Sequence, residues 1–225
     1  MEEFKRLCDD ALIVTSNATQ DEKDLIAEYG FKTYEDNREW GLYQPRIKEE
    51  LLSRVGELNP DWLIFLDMDE VFCSEFTREE AEKLTNTKEL GWYFTIVNLY
   101  NDEQHFAHGA GIQRFWNVRM YKYTPEYGFQ FQNTNVHCGP CPIINWKYSW
   151  HAPFYVLHYG LMAKEDRLRK AQRYEQYDKR RMKPAYYDDL VSDLPGREFD
   201  GPGLLRKLRE TPETQPRITP VIRLD

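Results

Sequence analysis

The chain has 225 residues, enough for one large domain with a substantial core. Hydrophobic residues make up 41% of it and aromatic residues 15%, which argues against disorder throughout. A formal net charge of -8 argues against a nucleic-acid-binding protein, which needs a broad basic face. No apolar run approaches the roughly 20 residues of a membrane span, and the N-terminus lacks the apolar stretch of a secretory signal. A cytoplasmic location, including the cytoplasmic surface of a membrane, is therefore expected.

The first third of the chain alternates strand and helix patterns. Its predicted elements are a strand over 11–14, a helix opened by Thr19 and ended by Gly30, a strand over 31–34, a helix over 47–58 and a strand over 62–66. Thr19 and Glu22 match a capping box at the start of the first helix. The strand over 62–66 is apolar throughout, as expected of a strand covered on both faces. This alternation predicts a parallel sheet with crossover helices.

The second half of the chain is richer in aromatic residues. Its predicted elements are a short helix opened by Thr77, strands over 92–99, 114–123 and 154–159, and a basic helix over 164–181. Glycine and proline become frequent after Pro195, and apolar periodicity fades there. The sequence therefore predicts an α/β domain over 1–190, with a mixed, mainly parallel sheet flanked by helices, and a C-terminal tail or arm over 191–225.

Three carboxylates follow the apolar strand. Asp67, Asp69 and Glu70 come directly after Leu66, and ligands of open α/β sheets bind beyond the carboxyl ends of the strands. Crowded carboxylates repel one another, and a divalent cation is the simplest way to relieve that repulsion. Residues two apart in an extended chain point the same way, so Asp67 and Asp69 can face one ion. A solvated turn capped by one aspartate is the alternative interpretation.

Residues 62–70, WLIFLDMDE, resemble the D-x-D segment of family-2-type glycosyltransferases, and residues 13–21, IVTSNATQD, are similar to an upstream turn of that family. Weaker similarities follow in the family's order at 114–121, 136–137, 157–160 and 173–174. The resemblance implies a GT-A-like, Rossmann-related fold and a Mn²⁺ or Mg²⁺ ion. It also implies a nucleotide-sugar donor, most simply a UDP-sugar, and a saccharide or lipid-linked acceptor.

The resemblance assigns roles to individual residues. As metal ligands it implies Asp67, Asp69 and His158; as donor-binding residues it implies Ser16, Arg46 and Asp67. The basic helix after His158 adds Lys164 and Arg167 as residues that could neutralise a diphosphate, and a solvated helix face is the alternative interpretation. Ser16 stands where the family has an aspartate that contacts the base, and Trp40 and Arg46 match an aromatic residue and an arginine of the family. The candidates for the base that deprotonates the acceptor are Asp102, or its neighbour Glu103, and His137. The aromatic segment from Trp92 to Trp150 is expected to form the acceptor side.

The chain departs from the family pattern in its first residues. The family begins with a further strand that forms part of the nucleotide pocket, and nothing before Ala11 supplies it. Residues 1–10 instead resemble the end of a helix. The expectation is either a fragment of a larger protein or a reduced variant of the fold.

Residues 138–141 read C-G-P-C, the active-site tetrapeptide of thioredoxins. Thioredoxin chemistry needs the first cysteine at a helix N-terminus, and residues 142–146 predict a poor helix start. A turn that shapes the acceptor pocket is the favoured interpretation. A thiol oxidoreductase, and a zinc site with His137 or His151, are the alternatives for this motif. For the whole chain, the alternative to a transferase is a non-catalytic carbohydrate- or protein-binding domain.

Overall fold

A computed structural model describes residues 1–38, 42, 44–109, 112, 115–132, 138–178, 184–193 and 196–210. The helices are α1 (Glu2–Leu7), α2 (Gln20–Glu28), α3 (Gln44–Val55), α4 (Arg78–Thr85), α5 (Ile143–Lys147), α6 (Lys164–Tyr177), α7 (Pro184–Val191) and α8 (Gly201–Glu210). The strands are β1 (Leu12–Thr15), β2 (Lys32–Glu35), β3 (Trp62–Ile64), β4 (Glu70–Phe72), β5 (Gly91–Tyr100), β6 (Asp102–Ala107), β7 (Phe115–Lys122), β8 (Ser149–His158) and β9 (Gly196–Glu198).

The predicted capping box at the start of α2 is confirmed. The Glu22 amide donates to the Thr19 hydroxyl at 3.3 Å, and the Thr19 amide donates to the Glu22 carboxylate at 2.7 Å. The helix is followed by Gly30, whose φ of +72° is the left-handed conformation that glycine adopts without strain. Local hydrogen bonding therefore sets both ends of this helix, as the sequence indicates.

The sheets are mixed, and the predicted mainly parallel sheet is wrong. β1 and β2 pair in parallel as a two-stranded sheet of their own. A seven-stranded sheet has the order β3-β7-β5-β6-β9, and β8 pairs with β5 and β4. Within the described strands of this sheet, only β5 and β8 are parallel, and β3 is antiparallel to β7. An apolar strand such as 62–66 needs other parts of the protein packed on both of its faces. Both parallel and antiparallel strands can be packed in this way, so the apolar pattern did not determine the direction of β3 relative to its neighbour.

Residues 196–210 are packed onto the domain, although the sequence predicts an arm there. β9 pairs antiparallel with β6, and α8 buries Leu204, Leu205 and Leu208 in the core cluster that contains Phe154. Glycine and proline occupy the first turn of α8, where a missing amide donor is tolerated, and so they hide the short apolar stripe behind them. The rest of the predicted arm, 211–225, lies outside the described residues.

The parallel pair positions the candidate site. Asn98 near the carboxyl end of β5 lies beside His158 at the carboxyl end of β8, and His158 lies opposite Glu70 on β4. Such strand ends are where open α/β sheets bind ligands. Along the segments that the structure describes, none of the helices has the length and apolar character needed to cross a bilayer.

Candidate functional site

Asp67, Asp69 and Glu70 lie in and just after the short connection from β3 to β4. The side chains of Asp67 and Asp69 are 59% and 42% exposed, whereas that of Glu70 is 2% exposed. The Glu70 amide donates to the Asp67 carbonyl at 3.0 Å and closes the turn. The three carboxylates therefore divide into an exposed pair and a buried one.

The buried carboxylate of Glu70 forms an ion pair with Arg119. The Arg119 guanidinium is only 5% exposed and also lies 3.5 Å from an Asp67 oxygen. Burial raises the pKa of Glu70, and the positive charge of Arg119 offsets this only in part. Glu70 is consequently engaged in holding the connection to β7 and is not available as a ligand in this arrangement.

Arg119 reaches the carboxylates through an irregularity in the sheet. Trp92 of β5 lies opposite Met120 of β7, but Tyr93 lies opposite Val118, so Arg119 is the extra residue of a β-bulge. A bulge redirects side chains locally and is common beside functional sites. It explains how a strand with apolar neighbours can direct one guanidinium to the site.

Asp69 and His158 face each other at the strand ends. Asp69 Oδ2 lies 3.3 Å from His158 Nε2, and His158 Nδ1 lies 2.7 Å from Asn98 Oδ1. When the Asn98 oxygen accepts from Nδ1–H, Nε2 holds either a lone pair that can bind a metal or a proton donated to Asp69. Gly160 permits this approach, because a Cβ there would overlap with Asp69 Oδ2 and lie 2.9 Å from His158 Nε2.

Helix α6 brings a positive charge to the exposed carboxylates. Burial lowers the pKa of Lys170, and the nearby Asp69 and Asp67 act in the opposite direction. Burial also works against the ionised form of Asp69, but the hydrogen bond with His158 and the charges of His158 and Lys170 prevail and lower its pKa. The Asp69 carboxylate is therefore charged at neutral pH and lies in a positive environment.

The predicted donor-binding residues of α6 have other contacts. Lys164 forms an exposed ion pair with Asp193 at 2.8 Å. Arg167 is 1% exposed, and its guanidinium donates to the carbonyls of Leu161 and Met162 at 2.9 and 3.0 Å. Among the contacts of the described residues, neither side chain reaches the carboxylates, so in this arrangement both residues have structural partners.

The other predicted donor-binding residues are solvent-exposed. Ser16 is exposed directly after β1, and the Arg46 side chain on α3 is 75% exposed and pairs with Glu50 at 3.3 Å. The described contacts do not join either of them to the carboxylates. His137 and Trp40 lie outside the described residues.

Asp102, predicted as a base, is hydrogen-bonded to a histidine. Its carboxylate oxygens lie 2.8 and 2.9 Å from His105 Nδ1, and one of them accepts from the Gln104 amide at 2.8 Å. These hydrogen bonds lower the pKa of Asp102, so it is a weak base. They also leave His105 Nε2 as the basic atom of the pair. Burial, and after it the charge of the neighbouring Glu103, raises the pKa of Tyr159. The Asn101 amide donates to the Met162 carbonyl at 3.0 Å, which places the start of β6 close to the end of β8.

The donor chemistry fits a divalent cation with two protein ligands. No three His, Cys, Asp or Glu side chains come together as a complete metal site in the part of the chain that the structure describes. Adjacent ligands at about 2.1 Å from an octahedral ion lie about 3 Å from each other. The 3.3 Å between Asp69 and His158 agrees with this spacing. Mg²⁺ and its relatives often bind through one or two side chains and complete their shells with water and phosphate.

The C-G-P-C segment has the environment of a structural turn. Cys138 is half-buried and Cys141 is buried, and burial raises the pKa of both thiols, that of Cys141 to about 12. Lys48 Nζ donates to the carbonyls of Cys138 and Gly139 at 2.9 and 2.8 Å and so holds the turn. Neither surrounding favours the thiolate that redox chemistry needs.

We expect Cys141 in the folded protein to react with iodoacetamide at least about 100-fold more slowly than in urea, because little thiolate forms at a buried sulfur. Mass spectrometry of the alkylated peptides measures both rates. The half-buried Cys138 is the internal control and should react faster than Cys141. Rapid alkylation of Cys138 at neutral pH would instead favour the oxidoreductase alternative.

Sequence reasoning missed four residues of this site: Asn98, Arg119, Gly160 and Lys170. Asn98 and Arg119 had a usable signal, because a polar side chain within an otherwise apolar strand needs a buried partner. Gly160 falls within the family similarity at 157–160, but its close approach to Asp69, like the inward position of Lys170 on α6, is known only from the packing.

No family model matches the chain, and no curated protein does so either. The fold that the structure establishes is a mixed α/β fold with helices beside its sheets. The function of the chain is therefore inferred from the residues of its site.

Proposed function

We propose that this chain is a glycosyltransferase that uses a nucleotide-sugar donor together with Mn²⁺ or Mg²⁺. The observation that carries the proposal is the pair of Asp69 and His158, 3.3 Å apart and fixed by Asn98. When Nε2 carries no proton, its lone pair faces the Asp69 carboxylate, and a cation between the two would relieve their repulsion. An oxygen and a nitrogen ligand together suit Mn²⁺.

The residues around this pair have separate parts in donor binding. Asp69 and His158 would hold the ion, which when bound would stabilise the negative charge of the leaving diphosphate. Lys170, whose charge acts on Asp69, would add to the positive charge around the donor phosphates. Asp67, with an exposed side chain, would accept hydrogen bonds from the donor or from water around the ion. A UDP-sugar is the first donor to test.

An inverting transfer needs a base for the acceptor hydroxyl. The hydrogen bonds of Asp102 favour His105 as that base and give Asp102 the part of orienting the imidazole. Asp102 is thus a positioning residue in this proposal. This assignment differs from the role that the sequence suggests for Asp102.

A non-catalytic carbohydrate-binding domain is the second candidate. The observation that favours it is the ion pair of Glu70 with Arg119. Because Glu70 is engaged there, only two metal-ligand residues remain at the site in the described part of the chain. Such a domain would bind saccharides without a nucleotide or a metal. The two candidates therefore differ in what stabilises the protein.

The test is thermal unfolding of the whole chain with UDP- and other nucleotide sugars, in the presence of Mn²⁺ or of EDTA. At a donor concentration about 100 times Kd, ligand linkage contributes about 2.7 kcal/mol, which raises Tm by about 5 to 10 °C for a chain of this size. We expect this rise with Mn²⁺ and not with EDTA, and we expect Asp69→Ala to abolish it.

Asp61→Ala is the matched control, because Asp61 is an exposed aspartate close to β3. This variant should keep the full Mn²⁺-dependent rise. A rise that persists in Asp69→Ala, or the absence of any rise across the common nucleotide sugars, would contradict the transferase proposal. The second outcome together with stabilisation by a saccharide alone would support the binding domain.

A further inference from the structure

Two half-exposed indole rings lie beside one histidine ring in the aromatic half of the sheet. Trp116 on β7 and Trp150 on β8 are 39% and 40% exposed. Their ring centroids lie 5.5 and 6.4 Å from that of His151, and both meet it close to edge-on. Tyr93 stacks on His151 at 5.2 Å and donates its hydroxyl to the Trp146 carbonyl at 2.7 Å. We call Trp116, Trp150 and His151 the aromatic platform.

The histidine of the platform has hydrogen-bonding capacity that the described part of the chain does not use. His151 Nδ1 is buried and has no hydrogen-bond partner there. Burial lowers the pKa of His151, so the ring is neutral at physiological pH and has one N–H donor. Nε2 is the nitrogen of this half-exposed ring that a ligand can meet. The platform thus combines apolar ring faces with one polar atom.

Trp116 places one ring of the platform on the same strand as Arg119 of the carboxylate site. Trp116 and Val118 are two residues apart in the strand and share a face. Val118 is 0% exposed and packs in one cluster with Cys141, so core side chains cover the strand between Trp116 and Arg119. Three residues of strand span about 10 Å, so a saccharide bound at Trp116 would have to pass around this cluster to come near Arg119.

We propose that the aromatic platform is a saccharide-binding subsite. Pyranose rings offer apolar C–H faces that stack on indoles, and their hydroxyls offer partners for an imidazole nitrogen. A purely apolar partner would cover His151 and leave its nitrogens without hydrogen bonds, which is costly. The acceptor role of this subsite rests on the proposed function, but its affinity for saccharides does not.

The experiment is a glycan array with the whole chain in EDTA, followed by titration of the strongest oligosaccharide with tryptophan fluorescence as the signal. We expect Trp116→Ala and Trp150→Ala each to weaken binding about tenfold or more through loss of a stacked ring. Tyr127→Ala is the control, because Tyr127 is a 59% exposed aromatic residue outside the platform, and binding should be unchanged. Circular dichroism verifies that each variant is folded.

Two results would overturn the proposal: no array glycan binds, or the strongest glycan binds equally to both tryptophan variants. Self-association that is lost in Trp116→Ala, without any saccharide affinity, would identify a protein interface and also overturn it. Failure here leaves the Mn²⁺-dependent donor binding to be judged by its own assay. Saccharide binding in EDTA without any donor binding would support the platform and contradict the transferase.

Discussion

Replacing Arg119 by methionine is expected to destabilise the fold by about 3 to 5 kcal/mol, because it leaves the Glu70 carboxylate buried without its counter-charge. Methionine keeps the apolar stem of arginine, so little packing is lost. Urea unfolding followed by circular dichroism measures the change. Of the single substitutions considered, this one should have the largest effect on stability.

Arg169→Met is the matched control, since Arg169 forms an exposed ion pair with Asp166 on α6. Exposed pairs contribute about 1 kcal/mol or less, so this variant should unfold close to wild type. Adding Glu70→Gln to Arg119→Met should recover a large part of the loss, because the uncompensated charge is then absent. If Arg119→Met lowers the free energy of unfolding no more than the control does, then Arg119 does not stabilise the buried Glu70 carboxylate, and the prediction is wrong.

The loss in free energy of unfolding caused by Arg119→Met should depend on pH. Burial raises the pKa of Glu70 in the folded state, so the folded protein binds this proton more tightly than the unfolded chain does. A group whose pKa is raised in the folded state stabilises the protein at low pH, and this contribution to the free energy of unfolding is lost as the pH rises through the folded pKa. Removal of Arg119 raises the pKa further. Unfolding measured at about pH 5 and about pH 8 should therefore show the larger deficit at about pH 8.

The sequence predicted the local features of this fold better than its pairing. Thr19 with Glu22, and the position of the carboxylates after the strand over 62–66, depend on neighbours in the chain, and both are as expected. Strand direction depends on which distant strand supplies the partner, and the antiparallel pairing of β3 with β7 had no local signal. The same limit applies to helix faces: the basic pattern of α6 predicted Arg167 as a ligand residue, but packing turned it inward.

The candidate site was predictable to the extent that its residues share a motif. Asp69 and His158 were paired through the family resemblance, and the structure places them in contact. Asn98, which contacts His158, is on β5, and this contact follows from the parallel register of β5 and β8. A polar residue within an apolar strand signals that a partner exists, but only the register identifies it.

Gly160→Ala is expected to remove the Mn²⁺-dependent stabilisation by a nucleotide sugar while leaving the fold intact. A Cβ at this position would overlap with Asp69 Oδ2 and approach His158 Nε2 to 2.9 Å. Asp69 is 42% exposed and can turn away into solvent. The added methyl group therefore separates Asp69 from His158 and leaves the packing of the core unchanged. Displaced ligand geometry weakens metal affinity by about 10- to 100-fold. Titration of Mn²⁺ in the presence of donor measures this loss.

Gly139→Ala is the control for the glycine substitution itself, because a Cβ at Gly139 would meet no heavy atom within 4 Å. It should bind Mn²⁺ and donor as wild type does. Unchanged Mn²⁺ affinity in Gly160→Ala would contradict the role of the Asp69 and His158 pair, since no cation held between these two side chains could tolerate their separation. The Gly160→Ala substitution thus tests the ligand assignment without removing either ligand, whereas Asp69→Ala removes one of them.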